Sequence, residues 1–144
     1  MSTGLPVFDT TVQETNLWLK AIESRLPSCS RQEAYAALRA VLHVLRDRLP
    51  TEAVLGLSAQ LPLLLRGVFL EGWRPAAGPT RIRDPDVFAG EVAEHLAPSF
   101  PCLPHDTMDA VFAVLAERLD AGEVSKLAQY LPPRLRSLVS GQPA

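Results

Sequence analysis

Little in this chain invites covalent chemistry. Its 144 residues include two cysteines, three histidines and two lysines. Cys29 and Cys102 cannot build a disulfide framework, and no Cys-x-x-Cys pair exists. One bridge between them is conceivable, but reduced thiols are the expectation for an intracellular chain. Charge of one sign is lacking too. Residues 1–72 carry seven basic and seven acidic side chains, and residues 73–144 carry seven and nine. Neither half has the basic excess that phosphate neutralisation requires, so no nucleic-acid partner is expected. Long apolar runs are absent. One run, Leu61 to Leu65, contains Pro62 and stops at Arg66, and none approaches the ~20 residues of a membrane span. The first residues, Met1-Ser2-Thr3-Gly4-Leu5-Pro6, show no basic segment followed by an apolar one. No signal peptide, no membrane association and a cytoplasmic location are expected.

Catalytic patterns are equally scarce. His43, His95 and His105 have no second ligand at helical metal spacing beyond lone carboxylates (Glu91 before His95, Asp109 after His105), so no metal site is expected. There is no Gly-x-Ser-x-Gly turn, and Ser58 falls within a short helix. Cys29 directly precedes a helix start, which would lower its pKa; it and Cys102 otherwise read as small apolar fillers. The carboxylate pairs Glu91/Glu94, Asp106/Asp109 and Asp120/Glu123 read as first-turn residues that favour the helix dipole. Ala76-Ala77-Gly78-Pro79 lacks the glycine spacing and the lysine of a phosphate loop. No catalytic residue, cofactor or enzymatic activity is expected.

What the chain has is helical periodicity. Val12, Leu19, Ile22 and Leu26 recur at helical spacing. Ser30-Arg31-Gln32-Glu33 is a capping box, followed by an apolar stripe of Ala34, Leu38, Val41, Leu45 and Leu49. After Pro50 comes a short helix with Val54, Leu57 and Leu61, and Pro62 fits the first turn of the next. A loop over 72–83 is rich in Gly, Pro and Arg. Asp84-Pro85 then restarts the helix as cap and first-turn proline.

The pattern occurs twice. Shifting the chain by 70 residues aligns 17–66 with 87–136 without a gap, and 13 of the 50 positions are identical. About four would arise by chance in so Leu- and Ala-rich a chain, so the excess reads as an internal repeat. Leu61-Pro62 recurs as Leu131-Pro132, each followed four residues later by an arginine, Arg66 or Arg136. The expected fold is all-α: eight short helices in two tandem four-helix repeats packed into one bundle-like domain spanning 1–144. The repeats cover about 9–71 and 84–140 and are joined by the 72–83 loop.

Leu17-Trp18-Leu19, the run from Leu38 to Leu49, Ala59-Gln60-Leu61-Pro62, Arg66-Gly67 and Gly72-Trp73-Arg74-Pro75 together resemble the bacterial domain of unknown function 2267 family. Ala110 to Leu115, Gly122-Glu123 and Leu131-Pro132 extend the resemblance to about residues 8–139. It implies an all-helical, duplicated fold and carries over no catalytic residue or cofactor. It also implies a stress-related regulatory context, because similar domains occur beside stress and nucleotide-sensing modules.

One set of residues suggests binding. Arg39, His43 and Arg46 follow i, i+4, i+7 spacing on a helix face opposite the apolar stripe. Arg66 and the loop residues Arg74, Arg81 and Arg83 would complete a cationic patch for a phosphate, a nucleotide or an acidic partner. Trp73 either anchors the loop to the core or presents an aromatic contact. Arg48 and Arg118 read as partners of Asp47 or Glu117. The function expected first is a noncatalytic interaction or regulatory module that binds a protein partner or a second copy. The alternative is a sensor of a small anion or nucleotide built on the arginine patch.

Overall fold

The computed structural model describes residues 2–75 and 84–140. Among these the chain forms eight helices and no strand: α1 (Pro6–Arg25), α2 (Arg31–Arg48), α3 (Thr51–Gln60), α4 (Leu63–Leu70), α5 (Pro85–Glu94), α6 (Pro104–Arg118), α7 (Ala121–Ala128) and α8 (Pro133–Ser140). The all-α expectation holds.

Local signals explain most boundaries. The Ser30 hydroxyl accepts from Glu33 N, and the Glu33 carboxylate accepts from Ser30 N at 2.9 Å, closing the capping box at the start of α2. The Asp84 carboxylate accepts from Asp86 N ahead of Pro85. Pro62 stands one position earlier than the spacing suggested, as the residue capping α4 rather than inside its first turn. Glu91 and Glu94 are not first-turn residues, because α5 already starts at Pro85. Glu91 instead pairs with Arg48 of α2.

The stripe residues Ala34, Leu38, Val41, Leu45 and Leu49 are all buried, and the apolar side chains of both halves form one continuous core. Each fully buried Leu or Val contributes about 1.5–3 kcal/mol. Helices α2 and α6 sit at the centre and touch each other. Helix α1 packs on α6 while α5 packs on α2, and α3 meets α7. Within the halves, α2 packs on α4 as α6 packs on α8. Each of these contacts in one half has a matching one in the other. Ion pairs cross between the halves at Arg48–Glu91 and Arg25–Glu117, whereas Arg48 and Arg118 were expected to pair with Asp47 or Glu117 neighbours across the repeat.

Candidate functional site

Two first-half arginines, Arg46 and Arg66, reach the ends of helices. The last carbonyls of any α-helix lack intrahelical partners and carry the negative end of its dipole. At the end of α4, Arg46 donates from Nη1 to the carbonyl of Phe69 at 2.9 Å and also to that of Glu71. Its Nε donates to Asp47 at 3.0 Å. His43 donates from Nε2 to the Val68 carbonyl at 2.7 Å, which fixes the tautomer with hydrogen on Nε2. Gly72, at φ +75, turns the chain just beyond Glu71.

Spacing had put His43 and Arg46 on an open face opposite the stripe. They are instead 4% and 7% exposed. The reason is tertiary: α1, α4, α5 and α6 all pack on α2, so its polar side is covered as well as its apolar one. Burial is the main cause that lowers the His43 pKa from its usual 6.5, and the charges of Arg46 and Arg39 act in the same direction. His95 stands edge-on to His43, with ring centroids 6.5 Å apart.

Arg39 remains at the surface, where it pairs with Glu71 at 3.2 Å. Arg66 lies elsewhere. Its Nε donates to the Ser58 carbonyl at 3.1 Å, and its Nη2 reaches the Leu61 carbonyl at 3.3 Å, closing off the end of α3. Arg136 repeats this at the end of α7, with bonds to the carbonyls of Ala128 at 3.3 Å and Leu131 at 3.1 Å. The Leu-Pro joints thus carry their own arginine clamp. Trp73 is half-buried against the core, as a loop anchor would be, and Arg74 is exposed. Arg81 and Arg83 lie outside the described residues. The structure therefore brings Arg39, His43 and Arg46 together around the end of α4 and places Arg66 at a different helix end.

The clefts lined by the described residues include two that open to solvent. One, of about 260 Å³, lies between α3 and α7, where Glu52, Glu123, Lys126 and Tyr130 meet an apolar floor that includes Leu57 and Leu127. The other, of about 270 Å³, is lined by Glu14, Leu17, Trp18, Gln60, Pro62 and Arg118, among others. The first has no arginine, and the second has Arg118 alone.

One further contact joins the two cysteines, for which reduced thiols were expected and a bridge was conceivable. Cys29 and Cys102 lie with their Sγ atoms 3.3 Å apart, both as free thiols. Burial first, and then the neighbouring Cys102, pushes the Cys29 thiol up to about 12. The lowering expected from its place before a helix start is overturned, because desolvation outweighs the dipole there.

No curated protein matches the chain. A family model described as Uncharacterized conserved protein (DUF2267) matches residues 15–138, most of the described fold including both joints. On that match the chain belongs to the DUF2267 family.

Proposed function

We propose that this chain is a noncatalytic interaction module, built from two copies of a four-helix unit, that docks a protein partner or a second copy of itself. Exposed apolar side chains at the starts of α1 and α4 carry the reading. Val7 and Phe8, about half exposed, lie one turn before Thr11 and on its side of α1. The Thr11 hydroxyl accepts from Leu64 N at 2.8 Å, which brings the first turn of α4 alongside. Leu63 and Leu64 are themselves about half exposed. Leu17 and Pro62 line the adjoining cleft and continue this apolar surface. Apolar side chains gathered in this way mark contact surfaces more often than isolated ones do.

The anion-sensor reading has less support, because Arg46 and Arg66 spend their donors on backbone carbonyls. A bacterial, stress-related setting rests on the family resemblance alone.

The test pairs sedimentation velocity with affinity capture, using wild type and the Phe8→Glu/Leu64→Glu double variant. Wild type is expected to dimerise or to retain a specific protein, and the double variant to lose that association while keeping its helical circular dichroism. Identical sedimentation and identical captured proteins for the two would overturn the proposal. Native mass spectrometry guards the alternative: an extra small mass that leaves on activation, and is lost on Arg39→Glu, would favour the sensor.

A further inference from the structure

The geometry points to Cys29 and Cys102 as a redox modification site, at which a hydroperoxide closes an intramolecular disulfide between the α1–α2 linker and the α5–α6 linker. The two sulfurs are 3.3 Å apart although 73 residues separate them in the chain. A bond of about 2.05 Å needs them to approach by only about 1.3 Å. Neither residue sits inside a helix, so side-chain rotation and small linker shifts can supply that approach. The Cys102 segment reads Ala97-Pro98-Ser99-Phe100-Pro101-Cys102-Leu103-Pro104. Three prolines fix φ through it and lower the entropy of holding one thiol against the other. The inference does not depend on the partner reading.

The two thiols differ in access. Cys29 is 9% exposed, whereas Cys102 is half-buried. Burial also disfavours the Cys29 thiolate. Cys102 therefore reacts first. Its thiolate attacks the peroxide; the S–O bond forms, the O–O bond breaks, and the departing hydroxide takes up a proton as water. Cys29 Sγ then attacks Cys102 Sγ. The S–S bond forms, the S–O bond breaks, and the hydroxyl leaves as water with the Cys29 proton. Two thiols give up two electrons and two protons, and one hydrogen peroxide becomes two waters.

The experiment treats the full, natively folded chain with stoichiometric hydrogen peroxide. The intact mass is expected to fall by two hydrogens, reversibly with dithiothreitol. Tryptic peptides 26–31 and 84–118 should be joined under nonreducing conditions. The midpoint of thermal unfolding should rise by roughly 6–12 °C, as for a bridge closing a long loop. In Cys29→Ser, and in Cys29→Ala as a packing control, Cys102 should stop at a sulfenic acid that dimedone traps. In Cys102→Ser, Cys29 should keep its thiol under the same treatment. Disulfide-linked dimers from wild type, sulfinic acid on Cys102 with Cys29 still free, or faster oxidation at Cys29 in Cys102→Ser would each overturn the inference.

Discussion

The central helices of the two halves, α2 and α6, carry different side chains at matching positions. In the first half, His43 and Arg46 reach across from α2 and take the carbonyls of Val68, Phe69 and Glu71. Seventy residues on, the corresponding positions of α6 are Ala113 and Ala116, so that clamp exists once. The Leu-Pro joint is present in both halves with the same arginine on the same carbonyl pattern. Helix starts are traded in a similar way: α2 has a capping box where α6 starts at Leu103 without a side-chain cap, and α7 has Asp120 where α3 has Pro50. The joint, which the halves share, closes within a few residues. The clamp on α4, which they do not share, reaches across from another helix.

Arg46→Ala should break this comparison most forcefully, because it leaves buried carbonyls at the end of α4 without a donor. A loss of about 3 kcal/mol in urea unfolding is expected, and a loss under about 1 kcal/mol would mean that the clamp does not hold α4. His43→Ala, which copies the second half, should cost about 1–2 kcal/mol at pH 8. It should also change the pH profile. Burial holds the folded-state pKa of His43 below the 6.5 of the free side chain. Its stability contribution is therefore complete above 6.5 and is lost as the pH falls through the lower folded value. Subtracting the variant's stability curve from that of wild type should isolate this loss, and a flat difference from pH 8 to 5 would count against it.

Arg66→Ala and Arg136→Ala sharpen the comparison. Each should cost about 1–1.5 kcal/mol by thermal unfolding, and two costs differing by more than about 1 kcal/mol would show that the joints are not equivalent. The smallest effect belongs to Glu117→Gln, which removes the Arg25 pair between α1 and α6. With both side chains more than 40% exposed, it should cost under about 0.5 kcal/mol and less still in high salt.

The same division separates what could be read in the sequence from what could not. The Ser30–Glu33 box, Asp84-Pro85, the α2 stripe and the Leu-Pro joints were legible because each is decided by neighbours within one or two turns. The destinations of His43 and Arg46 were not. Helical spacing gives a residue's side of α2, but only the packing of α4 on that side turns a polar face into a buried clamp. For the cysteines a bridge was conceivable but reduced thiols were expected, since no local pattern brings residue 29 to residue 102. Of the candidate site, the Arg39–His43–Arg46 grouping on one helix was readable. Its partners on α4 were not.

The joints also bear on the order in which the molecule assembles. Arg66 reaches carbonyls five to eight residues behind it, and Arg136 does the same. So short a loop closes at little entropic cost and quickly. During synthesis the chain emerges from its N-terminal end, and the elbow between α3 and α4 has all its parts before any residue of α5 exists. Helix α2 must wait for α5 and α6 before it is fully covered. Each elbow can therefore reach the docking step with its bend already set, leaving the two halves to find each other as preformed corners rather than as loose chain.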